Sequence, residues 1–145
     1  MSKRPFVVVL VEDEEHDIVA AKRAWKQNNI VNPLHVLRSG AECLHYLYQH
    51  GKYSDAAAAP RPGILLLDIK MPGIDGFAVL EEIRHDERLS RLPMVVLTGS
   101  DAVADRNKSY DLGANAYIRK PSEFKGFSEA IRAINDFWTL AELPD

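Results

Sequence analysis

Cys43 is the sole cysteine among 145 residues, which excludes an intrachain disulfide framework and a thiolate metal site. Its setting, Cys43-Leu44-His45-Tyr46-Leu47, fits a small buried side chain in a protein of the reducing cytoplasm. Long apolar runs are also missing, and nothing approaches the roughly 20 residues of a membrane span. The run Phe6 to Val11 is too short for a signal-peptide core and is cut off by Glu12-Asp13-Glu14-Glu15. No basic stripe is present, and a formal net charge of -3 argues against non-specific nucleic-acid binding. His16, His35, His45, His50 and His85 are scattered, so no soft-metal cluster is visible.

What is present is an ordinary globular composition, 46% apolar and 27% charged, at the common length of one domain. Residues 1–145 are expected to form that single domain, with 141–145 a tail and no output domain. Apolar runs alternate with amphipathic stretches, the pattern of strand-helix-strand units building a parallel sheet. The expected fold class is α/β, a five-stranded parallel sheet flanked by five helices in a doubly wound, flavodoxin-like arrangement. Strands are expected at Phe6 to Val11, Leu34 to Leu37, Gly63 to Leu67, Met94 to Leu97 and Ala116 to Arg119. Helices are expected at Asp17 to Gln27, Ala41 to His50 with Gly51 as its stop, Phe77 to Asp86, Val103 to Leu112 and Phe124 to Leu140. Lys52 to Pro62, with Ser54, four alanines in a row, Pro60 and Pro62, reads as a long surface loop.

Ligands of open parallel sheets bind beyond the carboxyl ends of the strands, and there this sequence concentrates its reactive groups. Glu12 and Asp13 follow the first strand, Asp68 the third, Thr98 the fourth and Lys120 the fifth. Three carboxylates in one crevice raise one another's pKa or recruit a cation, and an all-oxygen donor set suits magnesium. Singly, each residue has a plainer role. Asp13 or Glu14 could cap the first helix, Asp68 could serve a turn, Thr98 could cap, and Lys120 could be a solvated charge. The string Asp68-Ile69-Lys70-Met71-Pro72-Gly73-Ile74-Asp75-Gly76 shifts the balance, since Pro72 and Gly76 fix a loop and Asp75-Gly76 opens the next helix. A carboxylate can attack phosphorus to form an acyl phosphate when a cation and donors stabilise the transferred oxygens. Gly99 lets a backbone N–H approach such an oxygen, and Pro121 raises the chance of a cis peptide after Lys120.

In this order the motifs resemble the response-regulator receiver domain of two-component signalling over nearly the whole chain. The resemblance implies Asp68 as phosphoacceptor, with Glu12, Asp13, Asp68 and the backbone carbonyl of Lys70 as ligands of Mg2+. It implies Thr98 and Lys120 as the switch hydroxyl and phosphate-binding lysine, and Tyr117 as the switch aromatic, for which strand-edge packing is the plainer role. Glu12 stands where many members carry Asp, a longer arm that leaves metal binding intact. The loop before Pro62, Asp136-Phe137-Trp138-Thr139 and the ending Glu142-Leu143-Pro144 are similar to single-domain receivers that partner phytochrome-type histidine kinases. A sensor kinase is therefore the implied partner, with neither nucleic acid nor membrane involved.

The last helix carries two apolar stripes, Phe127, Ile131, Ile134 and Trp138 on one side and Phe124, Ala130, Ala133, Phe137 and Ala141 on the other. A helix lying on a sheet needs only one. Either a broad face wraps the sheet edge, or Phe124, Ala130, Ala133, Phe137 and Leu140 form a partner or homodimer surface, as the subgroup resemblance implies. A flavodoxin-like electron carrier is disfavoured because Glu12 to Glu15 would repel a phosphate after the first strand. A phosphatase using an aspartyl-phosphate would place a second Asp where Lys70 stands. A phosphorylation-independent interaction module with this fold remains the alternative.

Overall fold

Val8–Val11 (β1), Ile64–Leu67 (β3) and Met94–Thr98 (β4) are buried at every position, because helices cover both faces of the sheet they form. Leu34–Leu37 (β2) and Ala116–Arg119 (β5) are mostly half-buried and close the two edges, giving the parallel order β2-β1-β3-β4-β5. This computed structural model describes residues 5–144. The helices are Glu15–Gln27 (α1), Gly40–Leu47 (α2), Gly76–His85 (α3), Val103–Asp111 (α4) and Phe124–Leu140 (α5). The doubly wound α/β class read from the alternation of runs is the one the chain adopts.

Strand side chains alternate between the two faces and so divide the core in two. Val9, Val11, Leu65, Leu67 and Val96 meet Cys43 and Tyr46 of α2 and Val79, Leu80 and Ile83 of α3. Val8, Leu10, Leu66 and Leu97 meet Ala21 and Ala24 of α1 and Phe127, Ile131 and Ile134 of α5. In α4 only Ser109 is buried, and its N-cap, Ala102, offers no side-chain hydrogen bond. That helix is the most loosely seated of the five in side-chain burial, and it packs on β5 and α3.

Register positions the chemistry. Val11 pairs with Leu67, Leu67 with Val96 and Thr98 with Arg119, so Glu12 and Asp68 leave neighbouring strands side by side, and Lys120 leaves β5 on the far side of Thr98. Their amides keep the ladder going: Glu12 N–H donates to Leu37 O at 2.9 Å, Asp68 N–H to Val11 O at 3.1 Å and Lys120 N–H to Thr98 O at 2.7 Å.

Several boundaries differ from the expectation. β1 starts at Val8 because the amide of Phe6 donates to the Asn32 side chain. α1 starts at Glu15, capped by Glu14, whose carboxylate accepts the His16 amide. α2 ends at Leu47, before the expected Gly51. Gln49 takes φ 56°, and the amides of Gln49 and His50 close on the carbonyls of Tyr46 and His45, a left-handed cap that glycine usually provides. Gly51 opens a 3-10 turn, Gly51–Tyr53. The loop up to Pro62 is no free surface strap: Ala59 is buried, Pro60 O accepts the Tyr46 hydroxyl and Ala59 O accepts Gln49 Nε2. Among the described residues no peptide bond is cis, so the bond before Pro121 is trans. Cys43 is wholly buried, as its setting suggested, and burial pushes its thiol up to about 12. Among the described residues no helix is long and apolar enough to cross a membrane.

Candidate functional site

Asp68 is the first residue beyond β3, and an amide, a hydroxyl and an ammonium converge on its carboxylate. Oδ1 accepts the Lys70 amide at 3.1 Å and the Thr98 hydroxyl at 2.9 Å. Oδ2 lies 3.1 Å from Lys120 Nζ. That ammonium also stands 3.2 Å from both oxygens of Glu12 and 2.9 Å from Asp17 Oδ2. Thr98 and Glu12 are buried and Asp68 nearly so. Gly76 keeps the loop tight, since a Cβ there would fall 2.5 Å from Asp68 O, and Asp75 caps α3 by accepting the Ala78 amide at 3.0 Å.

Electrostatics set the resting charge state. Burial, then the neighbouring Asp68 carboxylate, pushes Glu12 up to about 9. For Asp68 burial works upward too, but hydrogen bonding with Glu12, the Lys120 ammonium and the Lys70 amide outweigh it and hold the group below the usual carboxylate range. Burial would discharge Lys120, yet Asp68, Asp17 and Glu12 keep its pKa above normal. The two carboxyls are thus driven in opposite directions, Asp68 toward the anion and Glu12 toward the neutral acid. One oxygen each of Glu12, Asp13 and Asp68 lie within 4.8 Å of one another. Three oxygen donors at that spacing, with the Lys120 ammonium beside Glu12 and Asp68, fit a hard divalent cation.

Thr98 and Tyr117 are joined through the loop after β4. Ser100 N–H points to Thr98 Oγ1 at 3.4 Å, and Ser100 O accepts the Tyr117 hydroxyl at 2.9 Å. Ser100 Oγ donates to Asp105 Oδ2 at 2.6 Å, which also faces Lys70 Nζ at 3.1 Å. The structure thus brings together Glu12, Asp13, Asp68, Thr98 and Lys120, and places Tyr117 one link away. Sequence reasoning missed Asp17, Ser100 and Asp105. Asp17 could have been found, being four residues after Asp13 at the start of a helix pointing away from the crevice.

On α5, Phe127, Ile131 and Ile134 are buried. Phe137 is 63% exposed and Leu140 82% exposed, and Ala133 is exposed with Ala130 half-buried. Beside them runs a groove of about 510 Å³ lined by Ile118, Ala130, Ala133, Ile134, Phe137 and Trp138. Phe124 lies apart, packed toward the core with the Arg23 guanidinium 4.0 Å over its ring.

Response regulator Rcp1 of Synechocystis sp. is 36% identical over 137 residues, covering 94% of this chain and 91% of that protein. The crystal structure of its Mn2+-bound form superposes with a TM-score of 0.87 at 36% identity, covering 97% of this chain and 100% of the other. The phosphorylated cyanobacterial phytochrome response regulator RcpA gives a TM-score of 0.90 at 36% identity, over 98% of this chain and 100% of the other. The family model described as the response regulator receiver domain matches residues 8–132. The chain therefore belongs to the response regulators of two-component signalling, whose receiver domains accept phosphate from histidine kinases.

Proposed function

We propose that Asp68 is the phosphoacceptor, with Mg2+ held by Glu12, Asp13, Asp68 and the backbone carbonyl of Lys70. The observation that carries this reading is the meeting of a hydroxyl, an ammonium and two further carboxylates on one nearly buried, ionised carboxylate. A lone pair of the Asp68 carboxylate attacks the phosphorus of a kinase phosphohistidine. The P–N bond breaks, its electrons return to the ring, and imidazole leaves neutral when its other nitrogen carries a proton. Magnesium, when bound, offsets charge on the transferred oxygens. Thr98 and Lys120 are the chain's own donors to those oxygens. The Thr98 hydroxyl, now on Asp68 Oδ1, turns to the phosphoryl group, and Tyr117 follows through Ser100, changing the face formed by β4, α4, β5 and α5. The chain acts on no other substrate; it catalyses only its own phosphorylation and dephosphorylation.

The name of RcpA, a phytochrome response regulator, supports a phytochrome-type histidine kinase as donor. The test is transfer from an autophosphorylated, radiolabelled kinase of that type in magnesium. Label is expected to move to the native chain and not to Asp68→Asn; label retained by the kinase would contradict the pairing. The groove beside the exposed Phe137 supports a homodimer through α5 and the tail, since aromatic anchors next to apolar pockets are what interfaces use. Phe137→Asp is expected to shift the sedimenting species from dimer to monomer, and an unchanged mass would remove the dimer from the account.

A further inference from the structure

Asp17 occupies the first turn of α1, and its Oδ2 makes the shortest contact to Lys120 Nζ, 2.9 Å against 3.1 Å for Asp68 and 3.2 Å for Glu12. The three carboxylates on this ammonium are not equivalent. Glu12 and Asp68 belong to the group whose oxygens can hold a cation, whereas Asp17 does not. Its side chain is 39% exposed, theirs 1% and 9%. When a divalent ion draws on Glu12 and Asp68, ammonium and metal compete for the same oxygens and repel each other. Asp17 is then the carboxylate that Lys120 keeps to itself.

We infer that Asp17 is a positioning residue: it holds the Lys120 ammonium to one side of the metal's ligands and keeps it aimed at the space beside Asp68 where phosphoryl oxygens would sit. The inference rests on the reading of Asp68 and its metal site given above. A carboxylate in the first turn of a helix also complements the helix dipole, and it adds negative charge near the metal. Neither of those roles depends on Lys120, which separates them from positioning.

The experiment is a double-mutant cycle on the full chain, read as the Mn2+ dissociation constant from electron paramagnetic resonance of unphosphorylated protein. The variants are Asp17→Asn, Lys120→Met and the pair together, with Asp17→Glu as rescue. In the native background Asp17→Asn is expected to weaken Mn2+ binding roughly five-fold, because Lys120 relaxes fully onto Glu12 and Asp68; in the Lys120→Met background the same change is expected to cost less than about two-fold. Asp17→Glu is expected to recover most of the affinity. Equal losses in both backgrounds would show that Asp17 acts on the ion by charge or through the helix, and would overturn the inference, as would no loss in the native background. Asp68→Asn separates the two levels: if native Mn2+ binding is absent or indifferent to Asp68, the metal site itself falls and the inference with it.

Discussion

Among the described residues, Lys120 and Arg84 both reach into the fold, and their partners are opposite in kind. Lys120, at the carboxyl ends of the strands, stands among Glu12, Asp17 and Asp68, all charged or able to become so. Arg84, near the other end, faces neutral acceptors: Nε donates to Gly113 O at 2.9 Å, and one terminal nitrogen to Ser90 O at 2.7 Å and Leu92 O at 2.9 Å. The other terminal nitrogen reaches Asn115 Oδ1 at 3.0 Å. Their pKa values move apart accordingly, that of Lys120 upward through its carboxylates and that of Arg84 downward through burial alone. The carbonyls around Arg84 are neutral at every pH and gain or lose no proton, so Arg84 ties α3 to the loops before β4 and β5 and stays there. Carboxylates can be protonated, metallated or phosphorylated, so under the proposed function the surroundings of Lys120 change with each cycle. Arg84 thus belongs to the scaffold, and on the proposed reading Lys120 belongs to the switch.

The contrast can be broken at either cation. Arg84→Met strips several backbone carbonyls of their donor and is expected to destabilise the fold by about 3 kcal/mol in urea unfolding. The folded fraction should still take phosphate from a small donor at the native rate; a large rate loss would mean the two ends are coupled. Lys120→Met is expected to do the reverse, slowing phosphorylation on the order of 10²-fold while the chain stays folded by circular dichroism. Thr98→Ala is expected to slow it by about ten-fold, the loss of one donor in a buried site, and to uncouple the Tyr117 ring signals from phosphorylation in NMR spectra. Unchanged coupling would remove Thr98 from the relay.

A smaller effect lies away from both cations. The Cys43 thiol is pushed from 9.0 to about 12 by burial, and Tyr46 from 10.0 to about 12 by burial. Above pH 9 the unfolded thiol loses its proton while the folded one keeps it, so the unfolded state binds fewer protons and stability falls as pH rises toward 12. Cys43→Ala should flatten that decline, and native Cys43 should resist alkylation at pH 8. Rapid labelling of the folded protein would contradict its burial.

Much of this was legible in the sequence because parallel strands that end in reactive side chains announce a crevice. Val11-Glu12, Leu67-Asp68, Thr98 and Lys120 could be aligned from their apolar runs alone. What escaped was what depends on tertiary closeness. Arg84 sits on an amphipathic helix and looks like any solvated charge until Gly113 and Leu92 fold beside it. Gln49 carries no residue-type signal for its left-handed cap, and the alanine run looked solvated until Ala59 was found under Tyr46 and Gln49. Asp17 reads as one more acid in a charged first turn; its spacing from Asp13 places it near the crevice, but only the fold shows its contact with a lysine 103 residues away.

The central claim, that Asp68 is where phosphate enters, is tested most directly by intact-protein mass after incubation with magnesium and acetyl phosphate, for the native chain and Asp68→Asn side by side. The account predicts one phosphoryl addition to the native chain, dependent on magnesium, and none to the variant; an equal addition to Asp68→Asn would contradict it.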